Sequence, residues 1–192
     1  SHGQLERFQG ALSALEVAGI SIPLRHMANS AGVLDIPGAH FDMVRPGIMI
    51  YGLYPSAEVS HSVLLRPAMR FVTRICQVKT VDAGTPIGYG ATYVTDRKST
   101  VATVPVGYAD GYRRLLSNKG KVVVRGIRAP LLGRVAMDMC MIDVTSVPDV
   151  QSGDEVVLFG ESLPVEEMAS LVSTINYEIV TGIGRRVPRV YV

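Results

Sequence analysis

The sequence predicts an α/β segment that runs into an all-β domain. The first part, residues 1–55, reads as the last units of a parallel α/β barrel. The second, residues 67–192, reads as a mostly antiparallel, barrel-like β domain, with a linker at 56–66 between them. Three observations predict this. Helix-like and strand-like patterns alternate up to Gly52, then lapse between Tyr54-Pro55-Ser56 and Arg66-Pro67. Beyond that, short apolar runs recur between turn residues. Alternating helices and strands imply parallel strands with helical crossovers, whereas evenly spaced short strands imply an antiparallel barrel or sandwich.

Residues 4–18 form the first predicted helix, because Leu5, Phe8, Leu12 and Leu15 recur at three-to-four spacing and Gly19 stops it. An apolar stripe needs a surface to bury against, and little sequence precedes this one, so the chain is expected to be part of a longer protein. Residues 20–28 read as a short buried strand. Asn29-Ser30 caps a short helix through about Leu34, broken by Pro37-Gly38. Residues 43–52 read as a strand interrupted at Pro46-Gly47. Two such units cannot bury both faces of a sheet, hence an incomplete barrel.

In the β region the strand candidates are residues 69–81, 99–106, 121–124, 127–132, 140–144 and 155–159. Asn118-Lys119-Gly120 and Ser152-Gly153-Asp154 are among the turns between them. Pro164 opens a helix to about Val172, at the position where proline costs least. A short helix at 177–181 and a final strand at 189–192 complete the pattern, and no repeat or low-complexity tract interrupts it.

The composition narrows the function. The 192 residues are 47% hydrophobic and 19% charged, with a net charge of +2. That balance gives no electrostatic footprint for nucleic acid. Mean hydropathy is +0.26, yet no apolar run reaches membrane-spanning length, and no basic region with an apolar core opens the chain. No nucleic-acid or membrane contact is expected. Cys76 and Cys140 lie in apolar runs without metal spacing and read as buried thiols of a reducing cytoplasm. The four histidines show no i, i+4 pair, so no metal site is expected. Arg113-Arg114 and Arg185-Arg186…Arg189 are either solvated surface or a site for a small anion.

The stretch with the most chemical content is Gly88-Tyr89-Gly90-Ala91-Thr92-Tyr93. Flanking glycines reach backbone angles that other residues resist, which lets a loop present a single phenol. Val106-Gly107-Tyr108-Ala109-Asp110-Gly111 repeats the device. Alone, either motif reads as an ordinary glycine-bearing turn with a partly buried tyrosine, since turns are the commonest use of glycine.

In order, the motifs are His26-Met27-Ala28-Asn29-Ser30-Ala31, Asp42-Met43-Val44-Arg45-Pro46-Gly47-Ile48, the two tyrosine motifs, Gly133-Arg134-Val135-Ala136-Met137-Asp138, Asn176-Tyr177-Glu178 and Arg186-Val187-Pro188-Arg189. Over nearly the whole chain this resembles the C-terminal half of alanine racemases. These are pyridoxal-phosphate enzymes that interconvert L- and D-alanine, the latter for peptidoglycan. The resemblance implies an alanine-racemase-type barrel followed by a β domain, and a homodimer whose active sites are shared between subunits.

By that resemblance Tyr89 is the catalytic base from the partner subunit, opposite a cofactor-bearing lysine. A free phenol has a pKa of about 10, so about one in a thousand is ionised at pH 7, a gap of roughly 4 kcal/mol. Ser30, Gly47 and Ile48 match positions around the cofactor phosphate, although without the resemblance they read as a helix cap and a kink. Arg45 matches the arginine facing the pyridine nitrogen. Arginine keeps its proton, so that nitrogen would stay unprotonated and transamination would be suppressed. Met137 matches the residue whose backbone N–H binds the substrate carboxylate, and Tyr108 a second active-site tyrosine. Arg114 and Arg134 match residues lining the passage by which substrate enters.

Two departures qualify this. The family's cofactor lysine lies in the early barrel, whereas the only lysines in this chain are Lys79, Lys98, Lys119 and Lys121, all in the β region. The chain alone is therefore expected to be an incomplete enzyme. Arg185 stands where some relatives carry a tyrosine near the phosphate. Three other readings remain open. One is a serine/alanine racemase domain of a larger membrane-attached protein. Another is a non-catalytic anion-binding module, and the third is a β domain serving only dimerisation.

Overall fold

A computed structural model describes residues 2–192, and the chain divides between Ala68 and Met69 into two units. In the first unit, helix α1 spans His2–Val17. Its predicted stripe, Leu5, Phe8, Leu12 and Leu15, is half-buried while the remaining positions are exposed. Phe8 meets Phe41 edge-on at 5.2 Å. Helix α2 spans Ser30–Asp35 and is capped as expected, with the Asn29 side chain accepting the Gly32 N–H at 3.0 Å.

The two strands expected in this unit are not formed. Residues 20–26 are exposed, and Ile20, Ile22 and Leu24 face outward. One parallel bridge, His26 to Met43, joins this segment to 42–45, with Asp42 N–H donating to Arg25 O and Arg45 N–H to Ala28 O. A strand needs a paired neighbour along its length, and Pro23 lacks a donor. The expected strand at 43–52 instead ends in a 3-10 turn, Ile48–Tyr51. Residues 53–67 fold back on this unit: Tyr54 stacks on His61 with ring centres 3.9 Å apart, and Ser60 N–H donates to Asp35.

The second unit contains strands β1 Phe71–Arg74, β2 Gln77–Val81, β3 Pro86–Ile87, β4 Tyr93–Val94, β5 Ser99–Val104, β6 Lys121–Val124, β7 Ile127–Leu132, β8 Cys140–Asp143 and β9 Glu155–Phe159. Helices α3 Val165–Leu171 and α4 Asn176–Thr181 follow them. Seven strands form one sheet in the order β1-β9-β6-β7-β8-β5-β2, and their pairings are antiparallel. The two ends of that order are consecutive in the chain. Ile75 and Cys76 alone separate them, bonded to Asp154 on one side and Thr103 on the other, so the sheet curls back on itself. The expected barrel-like antiparallel domain is present.

The single strand expected at 69–81 is thus two, because its halves pair with different neighbours. Val101, Ala102, Val104, Val122, Val124, Ile142, Val156 and Leu158 fill the core. The final strand expected at 189–192 is irregular and exposed. Arg189 donates to the carbonyls of Ile183, Gly184 and Val187, which bends this segment back. Cys76 is exposed rather than buried, since it sits at the corner between β1 and β2. Cys140 is buried, and burial pushes its thiol up to about 12. Among the described residues no helix is long and apolar enough to cross a membrane.

Candidate active site

Tyr89 tips the β3–β4 hairpin. At its base Ile87 pairs with Tyr93; Ile87 forms a buried cluster with Val101 and Leu132, against which Tyr93 and Met141 pack. At its tip Gly88 and Gly90 take φ of 73° and 72°, the left-handed backbone that glycine allows. Tyr89 is 73% exposed there. The phenol is held out by a loop whose stem is anchored in apolar contacts.

Tyr108 sits just beyond β5, in a 3-10 turn running to Asp110. Gly107 brings this turn against the β7–β8 connection so closely that a Cβ there would stand 2.3 Å from Ala136 O. Tyr108 N–H donates to Ala136 O at 3.0 Å and Ala109 N–H to Met137 O at 2.9 Å. Arg114 follows in the β5–β6 connection, while Arg134 and Met137 lie in the β7–β8 connection. The Arg134 guanidinium lies against Gly90: a Cβ on that glycine would be 3.8 Å from Arg134 Cζ.

These elements enclose an open cleft of about 410 Å³, lined by Tyr89, Tyr108, Arg114, Arg134, Met137 and Asp138 among others. All five site residues expected in the β region therefore meet on one cleft. Among the described residues neither Arg114 nor Arg134 forms an ion pair, so both leave their charge to the cleft. Arg113 and Arg186, by contrast, are tied to Glu178 and Asp110, and Arg185 is exposed. The two basic clusters are thus mostly internal ties.

The other four expected residues gather in the first unit. Ser30 is 3% exposed, and its hydroxyl accepts the Gly47 N–H at 2.9 Å. Ile48 is buried beyond Gly47, and the Arg45 guanidinium donates to Met27 O at 3.0 Å. The parallel contact between 25–28 and 42–45 brings Arg45 beside Ala28, next to the start of α2. The donor set fits a pyridoxal phosphate: backbone N–H groups with a serine hydroxyl suit a phosphate, and a cation suits the ring nitrogen. The four lysines all lie in the second unit, exposed, and none lines the cleft.

Two residues given no role from the sequence hold the cleft together. Asp110, 8% exposed, accepts Gly107 N–H at 2.8 Å and Arg186 Nε at 2.6 Å. Burial alone would raise its pKa, but the Arg186 and Gly107 hydrogen bonds outweigh it and hold the carboxyl below its usual range. Asn118, at φ 58°, accepts Gly133 N–H at 2.7 Å and reaches Thr92 at 3.3 Å. An acid inside a glycine-tyrosine motif and an asparagine in a turn carry no sequence signal of such long-range bonds. Among the described residues, no group of three or more His, Cys, Asp or Glu side chains is placed to hold a metal ion.

The family model "Alanine racemase, C-terminal domain" matches residues 68–191, and "Alanine racemase, N-terminal domain" matches residues 1–55. The chain belongs to the alanine racemase family. An alanine racemase of Desulfovibrio desulfuricans is 52% identical over 190 residues, covering 98% of this chain and 51% of that protein. A solved alanine racemase of Clostridium difficile 630, in complex with cycloserine, superimposes at a TM-score of 0.94 with 42% identity, covering 99% of this chain and 51% of the other. One from Bartonella henselae, with covalently bound pyridoxal phosphate, superimposes at 0.89 with 36% identity over 100% and 52% of the two chains. The chain spans about half the length of the curated alanine racemases it matches.

Proposed function

We propose that this chain is the C-terminal portion of a pyridoxal-phosphate-dependent alanine racemase that interconverts L- and D-alanine by two bases. In this reading residues 1–55 belong to the cofactor barrel, 56–66 link the parts, and 67–192 carry the catalytic tyrosine. The observation that carries it is the convergence of Tyr89, Tyr108, Arg114, Arg134 and Met137 on one cleft. The Bartonella henselae relative with covalently bound pyridoxal phosphate supports the cofactor.

Bound pyridoxal phosphate supplies the electron sink that lets an α-proton leave. The chain's own residues do the rest. Ser30 Oγ and the backbone at Gly47 and Ile48 hold the phosphate. The Arg45 guanidinium offers the ring nitrogen a hydrogen bond while keeping its proton, which disfavours transamination. Arg114 and Arg134 draw the substrate carboxylate into the cleft. Met137 N–H binds that carboxylate, Tyr108 bounds the site, and the Tyr89 phenolate oxygen takes the proton from the L-face and returns it in the reverse direction.

Tyr89, exposed at a hairpin tip, acts in this reading on substrate held by the partner subunit, in a homodimer where each β domain completes its partner's site. The cofactor lysine lies outside this chain, the protein acts in the cytoplasm, and its D-alanine serves peptidoglycan. The test takes two preparations. The complete protein, given pyridoxal phosphate, should interconvert the alanine enantiomers, while this chain alone, reduced with borohydride in its presence, should carry no site-specific adduct on its four lysines. A stoichiometric adduct on one of them, with racemisation by this chain alone, would refute the account.

A further inference from the structure

Met137 reads a carboxylate through a backbone N–H, so the orientation of one peptide plane sets how well it works. A trans peptide points its C=O and N–H in opposite directions. The Met137 N–H shares its plane with Ala136 O, and Ala136 O accepts Tyr108 N–H at 3.0 Å. The next plane is fixed likewise, with Met137 O accepting Ala109 N–H at 2.9 Å. The turn that carries Tyr108 therefore also aims the carboxylate-binding N–H.

That turn is held by a buried carboxylate. One Asp110 oxygen accepts Gly107 N–H at 2.8 Å, closing the turn. The other accepts Arg186 Nε at 2.6 Å. The Asp110 backbone carbonyl also accepts Gly184 N–H at 2.9 Å. Asp110, followed by the negative charge of Asp138 in the cleft lining, raises the Arg186 pKa. The fit admits little slack: a Cβ on Gly107 would stand 2.4 Å from Met137 O, and one on Gly184 3.0 Å from Ala109 O.

We propose that Asp110 and Arg186 are a positioning pair, which clamps the 107–110 turn so that Tyr108 and the Met137 N–H are presented together to the substrate carboxylate. Neither touches substrate. The proposal rests on the racemase reading for its substrate, though not for its geometry. Charge-assisted hydrogen bonds are the stronger kind, and freeing one buried partner is costly. The clamp thus restricts the one group whose direction decides binding.

The test is Asp110→Asn, with Arg186→Met as a second variant that leaves the Gly107 bond in place. In this chain, amide exchange at Tyr108 and Ala109 should speed about tenfold or more, while Val101 and Val122 in the barrel hold their rates. In the complete protein, KM for alanine should rise about tenfold with kcat changed less than threefold. The double variant should be little worse than either single one. The clamp is refuted if those amides keep their rates, if the barrel amides speed up in parallel, or if kcat falls while KM stays. Should the complete protein racemise nothing, the racemase reading fails, and exchange in this chain still decides the clamp.

Discussion

The amide oxygen of Asn118 accepts the Gly133 N–H at 2.7 Å, and its nitrogen reaches Thr92 O at 3.3 Å. One side chain thus ties the β7–β8 connection, which carries Arg134 and Met137, to the hairpin that carries Tyr89. Asn118 also holds φ 58°, a backbone state asparagine tolerates better than alanine.

Asn118→Ala should therefore lose about 1–2 kcal/mol of stability, from the lost bonds and the strained backbone together. Asn118→Gly keeps the backbone free to take that angle and should cost less. Chemical denaturation of the full chain with both variants checks the order; equal losses would assign the whole effect to the side-chain bonds.

Tyr112 is fully buried, and its hydroxyl has no hydrogen-bond partner among the described residues. Burial and the neighbouring Cys140 raise its pKa well above the ordinary value. An unsatisfied buried hydroxyl costs about 1–3 kcal/mol. Tyr112→Phe should raise the thermal midpoint by a few degrees, read by calorimetry, whereas a lower midpoint would mean that the hydroxyl is satisfied after all.

The Asp42 carboxyl is held down to about 2 by hydrogen bonds from the Arg25 side chain and backbone, Nε lying 2.7 Å away. Its pKa is lower folded than unfolded, so its contribution is present above the ordinary carboxylate pKa of about 4. It is lost as pH falls from there through about 2. The Arg25 amide donates to Asp42 at 2.9 Å, so its protection against exchange, relative to the intrinsic rate, should fall over that window, and Asp42→Asn should flatten the change. A steep change centred at neutral pH would contradict the assignment.

Strand bounds at 121–124, 127–132 and 155–159 were legible because tight turns flank them. Between β6 and β7 only Arg125 and Gly126 intervene, both at positive φ, as a two-residue hairpin requires. The division of 69–81 was not legible, since an apolar run does not say which neighbour each half will pair with. In the first unit the strand-like pattern of 20–28 is real, but pairing comes from partners, and the pattern holds no record of them. The cleft was legible through its glycine-flanked tyrosines and its arginines. Its supports, Asp110 and Asn118, were not, because each acts through backbone groups far away in sequence.

The most direct measurement is α-deuterium exchange by the complete protein and its Tyr89→Phe variant, starting from each alanine enantiomer in turn. If Tyr89 is the base on the L-face, the variant loses racemisation and the exchange out of L-alanine by about a hundredfold or more. Exchange recovered in D-alanine, served by the other base, should persist. Undiminished exchange from L-alanine in the variant would remove Tyr89 from the mechanism and with it the central claim.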